Sequence, residues 1–145
     1  MIVDIVAEII PGKNIRWVYS KEENCFVEMI YNHIFMKDKT FSGVYGWIEG
    51  YGSPPGKHID VLMFTENKVK LGNVIKGKII GVFNRCDGDH KLICIDVDRK
   101  EEDIAELPDI EKTMLFNIYK GKYEGDVWIG KEEAISVLFI SRKGV

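Results

Sequence analysis

Asp60, Asp87, Asp89 and Lys91 are the residues whose types and spacing in this chain could do chemistry. They fall in two stretches, YGWIEGYGSPPGKHIDVLMFT at 45–65 and IGVFNRCDGDHKLICID at 80–96. In the first, a tight turn delivers an aspartate to the start of an apolar strand. In the second, a strand runs out into Asp-Gly-Asp-x-Lys. Aspartates on adjacent strand ends converge on hard cations, and a lysine in the same loop can hold a phosphate oxygen. The pattern is one for phosphate chemistry.

The elements that must position these groups are short strands. Up to about residue 96, runs rich in Val, Ile, Phe and Tyr alternate with turn residues. The runs are 2–10, closing at Pro11-Gly12, then Ile15, Trp17 and Tyr19 alternating with Arg16 and Val18, then 25–31, 41–48, 59–65, 74–83 and 92–95. This spacing, with many glycines between, predicts a small closed or nearly closed β-barrel. Gly77 and Gly81, inside a strand pattern, suit bends or bulges in such a barrel. Beyond residue 100 the period becomes helical. Pro108, Asp109 and Glu111 mark a helix start. Ile110, Met114, Leu115 and Ile118 form its apolar stripe, and Gly121 is its stop. A second helix is expected from Lys131 to about Ser141, with Ala134, Ile135, Leu138 and Phe139 inward. The expected class is mainly β with two helices, α+β.

Composition narrows the function classes. A length of 145 residues predicts one domain, 1–145, and 46% hydrophobic residues suffice for one core. Twenty basic against 23 acidic residues leave a net charge of −3, which argues against a non-specific nucleic-acid binder. No apolar run approaches the ~18 residues that would span a membrane. Asp4 and Glu8 interrupt the first apolar run, so it does not read as a signal peptide. Cys25, Cys86 and Cys94 match no zinc spacing and read as buried thiols in a reducing cytoplasm.

Taken in order, the segments V-A-E-I-I-P-G at 6–12, F-V-E at 26–28, Y-G-W-I at 45–48, I-D-V-L at 59–62, I-G-V-F at 80–83, D-G-D-H-K-L at 87–92 and E-L-P-D-I-E-K at 106–112, with Tyr119-Lys120, resemble the magnesium-dependent soluble inorganic pyrophosphatases of OB-barrel type. The resemblance covers nearly the whole chain. It implies the inorganic pyrophosphatase fold, an OB-like five-stranded β-barrel, together with a homo-oligomer, magnesium as cofactor and a phosphate- or diphosphate-containing small molecule as ligand. Asp60 stands where the family's central aspartate bridges two metal ions, with Asp87, Asp89 and Glu8 at further metal positions. Lys91, Tyr45, Tyr119 and Lys120 match phosphate-holding or site-lining positions, and Arg16 replaces a phosphate-binding lysine.

The departures bear on catalysis. Where the family carries D-x-D-x-x-D, this chain reads Pro55-Gly56-Lys57-His58-Ile59-Asp60. The resemblance therefore puts Lys57 at the position that helps to deprotonate the attacking water. Val18 replaces a site glutamate, Met29 a phosphate-binding arginine, and Phe41 a tyrosine. Two carboxylates become a proline and a lysine, so the formal charge there changes from −2 to +1. Unit charges ~4 Å apart interact by about 4 kcal/mol at an effective dielectric near 20, enough to lower metal affinity by orders of magnitude. Two readings of Lys57 stand side by side. Its ammonium reaches towards Asp60 and Asp89 in place of a metal and joins Arg16, Lys91 and Lys120 in holding phosphate, or it is an exposed turn residue.

Other residues carry weaker signals. His58 and Asp60 share a strand face, and His90 and Cys86 lie near, but no C-x-x-C or H-E-x-x-H spacing supports a softer metal. His33 reads as loop or core. Trp17, Tyr19, Phe26, Tyr31, Tyr45, Trp47 and Tyr51 could stack bases, but their strand alternation suits barrel core better. Lys68, Lys70, Lys76 and Lys78 read as a basic face or solvated edge protection, and residues 96–103 as a solvated acidic connector. Three functions remain open: a phosphate-ligand binder with weak or absent hydrolysis, an active magnesium-dependent diphosphatase, and an interaction module with a vestigial cleft.

Overall fold

The computed structural model describes residues 1–31, 41–85, 88–119 and 127–143. Its strands are β1 (Ile2–Ile9), β2 (Ile15–Ser20), β3 (Cys25–Ile30), β4 (Val44–Ile48), β5 (Asp60–Phe64), β6 (Val74–Asn84), β7 (Lys91–Ile95) and β8 (Val127–Gly130). Two helices follow the barrel strands, α1 (Asp109–Tyr119) and α2 (Lys131–Lys143), with a 3-10 turn at Ile104–Glu106 before α1. The main sheet runs β1-β4-β5-β7-β6-β8, and β1 also pairs with β6. That second pairing closes a five-stranded barrel and leaves β8 as an added strand on β6. β2 and β3 form a separate hairpin beside it.

Of the two strand glycines, Gly81 lies at a bulge, whereas Gly77 pairs in register and marks a close approach of side chains. The β6–β7 register shifts between Ile79 and Gly81, a bulge at the second strand glycine. A methyl group on Gly77 would press on Ile5, Cys94 and Met63, drawn from three other strands. Strand β5 is buried on both faces. Val61 and Met63 join Ile5, Ile48, Ile79, Leu92 and Cys94 in one cluster. Leu62 and Phe64 join Ile93, Ile95, Leu107 and Leu115 in another. Since side chains alternate along a strand, Asp60 and Lys91 share the face of this second cluster.

Several expectations change. Ile110 is exposed, so the inward stripe of α1 begins at Met114 and Leu115. Ala134 and Leu138 of α2 are fully buried, as expected, while the side chain of Phe139 and the proposed stop at Gly121 lie outside the described residues. Cys25 is exposed because it opens β3 on the outlying hairpin, while Cys94 is buried in the barrel. Cys86 and His33 lie outside the described residues. Lys78 is not edge protection, because β6 has neighbours on both sides. Its buried ammonium donates to the Arg99 carbonyl at 2.6 Å and to Glu102 at 3.2 Å. The acidic connector is likewise tied down. Glu101 is buried against Arg99, and Arg99 makes a two-pronged pair with Glu111 of α1 at 2.7 and 2.9 Å. Asp103 accepts from the Ala105 and Lys131 amides with its two oxygens, so one carboxylate caps the 3-10 turn and the start of α2.

Candidate phosphate cleft

Asp60 opens β5 and Lys91 opens β7, and the parallel pairing sets them directly opposite. On the other side of β5, Asp60 faces Trp47 of β4. Glu8 lies where the β1–β4 register shifts between Ala7 and Ile9, beside the Ile9–Tyr45 pair. A bulge re-aims a side chain, and here it accompanies a buried glutamate. The turn before β5 is held by Gly52, whose φ of +90° excludes most side chains and where a methyl group would collide with the Lys57 carbonyl.

The resulting cluster is a chain of ion pairs. Lys91 Nζ lies 2.6 Å from Asp60 Oδ2 and 3.0 Å from Asp89 Oδ1. His58 Nε2 lies 3.1 Å from Asp60 Oδ1, while its Nδ1 is 2.8 Å from the Gly56 carbonyl oxygen. Because a carbonyl only accepts, that ring nitrogen carries the hydrogen. Arg85, buried just beyond β6, reaches Asp89 at 3.6 Å. Arg16 of β2 donates to Glu8 through Nε at 2.6 Å, and its guanidinium lies 4.8 Å from the Tyr31 ring centroid. Tyr45 lies under Lys91, 5.8 Å from Nζ to the ring centroid.

Electrostatics follows from these partners. Burial pushes the Asp60 carboxyl up, but donors from His58, Lys91 and Tyr45 outweigh it and hold the group down to about 2. Bonding to Asp60 raises His58 above its ordinary value, against the effect of burial. Burial raises Glu8, although Arg16 draws it back.

Of the residues singled out in the sequence, Asp60, Asp89, Lys91, Tyr45, Glu8 and Arg16 thus come together. Tyr119 ends α1, and Asp87 and Lys120 lie outside the described residues. Lys57 is exposed on the turn and pairs with neither Asp60 nor Asp89. It lies an odd number of residues before Asp60, whereas His58, two before it, shares its face. The cation between the two aspartates is Lys91. In the sequence, Arg85 gives no signal beyond a lone arginine directly after an apolar strand, and Tyr31 stands out only as one of several stacking or core aromatics. Phe41, which the resemblance matches to a tyrosine, is buried edge-on to Phe64.

Magnesium, implied by the resemblance, takes several converging oxygen donors. Here each described candidate carboxylate already binds a side-chain cation, and no three His, Cys, Asp or Glu groups converge among the described residues. As arranged, the described donors do not fit a magnesium site.

A closed OB-like barrel with carboxylates, lysine and arginine gathered at one end of β5 and β7 defines the class of protein. The sequence model of the inorganic pyrophosphatase family matches residues 5–138, and the chain belongs to that family. An inorganic pyrophosphatase from Helicobacter pylori is 25% identical, with 92% of this chain and 86% of that protein aligned. One from Neisseria meningitidis is 27% identical over 94% of this chain and 85% of its own length. The crystal structure of an inorganic pyrophosphatase from Neisseria gonorrhoeae superposes with a TM-score of 0.71 at 26% identity, over 98% of this chain and 90% of that one. Among the described residues, no helix is long and apolar enough to cross a membrane.

Proposed function

We propose that this protein is an inorganic pyrophosphatase homologue whose cleft binds a phosphate- or diphosphate-containing small molecule and hydrolyses it weakly or not at all. The carrying observation is the ion-paired cluster in which Lys91 lies between Asp60 and Asp89. Phosphoryl transfer to water needs a positioned, activated nucleophile and neutralised substrate charge. Lys91, Arg16 and the Tyr45 hydroxyl can meet phosphate oxygens, with Lys57 and Lys120 as further cations. The family resemblance puts Pro55 and Lys57 where two signature carboxylates stand, the one at Lys57 being the group that helps to activate the attacking water, and this supports weak or absent hydrolysis. A truncated vacuolar soluble pyrophosphatase from Trypanosoma cruzi, similar in fold, has been solved in complex with PPi.

The protein is read as one domain over 1–145, as a homo-oligomer from the family resemblance, and as cytoplasmic because its cysteines suit a reducing compartment. Nucleic acid and membrane are not its partners in this reading.

The test is phosphate release from pyrophosphate, scanned over magnesium, manganese, zinc and chelator, beside calorimetry of pyrophosphate binding. Binding with background release supports the proposal. Turnover on the order of 1–10³ per second would establish instead an active diphosphatase working through Asp60, Asp87, Asp89 and Glu8. Neither binding nor release would leave an interaction module with a vestigial cleft.

A further inference from the structure

We infer that Lys91 is a built-in counter-ion of Asp60 and that His58 occupies its other carboxylate oxygen, so that the described part of this cleft is complete without a divalent cation. The inference takes the cleft of the preceding section as its subject, but its test requires no phosphate ligand.

Lys91 occupies the point at which a cation shared by Asp60 and Asp89 would sit, 2.6 Å from one and 3.0 Å from the other. It cannot readily leave. Its backbone lies between β5 and β6, opposite Asp60 on one side and Phe83 on the other, and the residue is only 4% exposed. An ammonium swung out of this position would need a new path to water. The second Asp60 oxygen is taken by His58, whose ring is fixed from behind by the Gly56 carbonyl. The same arrangement recurs at Glu8, which is buried against Arg16.

Among the described residues, the candidate ion ligands Asp60, Asp89 and Glu8 are therefore each matched by a tethered cation. A divalent ion entering between Asp60 and Asp89 would meet the Lys91 ammonium at contact distance, and like charges so placed repel. The replacement of two nearby aspartates by Pro55 and Lys57 points the same way, since fewer negative charges remain to draw an ion in.

The experiment is a magnesium titration by calorimetry and thermal unfolding, on the full-length protein without phosphate. The wild-type protein is expected to show no magnesium uptake up to about 10 mM and no rise in Tm. Lys91→Met keeps the apolar stem and removes the charge. It is expected to lose stability in chelator, to bind magnesium at least about ten-fold more tightly than wild type, and to regain roughly 3 °C of Tm when the ion is added. His58→Gln should gain less, since it frees one oxygen of a single carboxylate. Sub-millimolar magnesium binding by the wild-type protein overturns the inference, as does a folded Lys91→Met protein that binds no more tightly than wild type. Lys91→Gln, which keeps a donor without the charge, serves if the methionine variant does not fold. If neither folds, the wild-type titration decides. Failure of pyrophosphate to bind would remove the proposed function and leave this result standing.

Discussion

Lys91 and Asp60 are paired twice over: their backbones are opposite in the parallel β5–β7 ladder, and their side chains meet at 2.6 Å. Breaking a buried pair from one side leaves the other charge uncompensated. Asp60→Asn is therefore expected to lower unfolding free energy by about 3 kcal/mol, and Lys91→Met by a similar amount. The double variant should lose clearly less than the sum, because neither charge is left stranded. Urea unfolding of the four proteins measures the difference, and strict additivity would remove the pair as a stabilising unit.

Glu101 gives the stability a pH dependence. The hydrogen bond from Arg99 holds its carboxyl below the ordinary 4.5. A carboxylate depressed in the folded state adds stability that is present above its unfolded value and lost as pH falls through its folded value. Arg99→Met should thus be less stable than the parent at neutral pH. Below about pH 5 its stability should fall less steeply, until the two curves converge in acid. Thermal melts across pH check this, and parallel curves would contradict it.

Asp103 holds two elements with one side chain, at 3.1 Å to the Ala105 amide and 3.1 Å to the Lys131 amide. Asp103→Ala removes both caps and is expected to cost about 2 kcal/mol. Asp103→Asn, which retains one acceptor oxygen, should cost less. Hydrogen exchange at the first turn of α2 should quicken in the alanine variant and stay closer to the parent in the asparagine one.

Restoring the signature is the direct test of what the two substitutions do. Pro55→Asp with Lys57→Asp moves the local formal charge back from +1 to −2. Magnesium affinity, read by calorimetry, should rise by at least about ten-fold. No gain would mean that those positions do not govern ion binding.

Much of the barrel was legible because its strands are short runs rich in Val, Ile, Phe and Tyr set apart by turn residues and glycines. β8 was not, since four residues, Val-Trp-Ile-Gly, give too little period to separate from the helix that follows. Lys78 looked like a solvated lysine because its burial depends on the Arg99 carbonyl, far along the chain. The candidate site residues were identifiable by type and order. Which lysine would meet which aspartate was not, because that is decided by register between strands 31 positions apart and by the parity of a turn. Residue types named the groups at the cleft, and strand pairing chose their partners.

Barrel closure has a kinetic consequence. β1 finds one neighbour in β4, but its other edge is covered only when Ile2 meets Lys78 and Val6 meets Val74 of β6. Contacts so remote in sequence are slow to form, because loop entropy is lost before they reward it. Until the chain has been made through β6, the first strand carries an unsatisfied edge of largely apolar residues. During synthesis the amino-terminal half is therefore the part most in need of shielding from other chains, and closure by β6 ends that exposure.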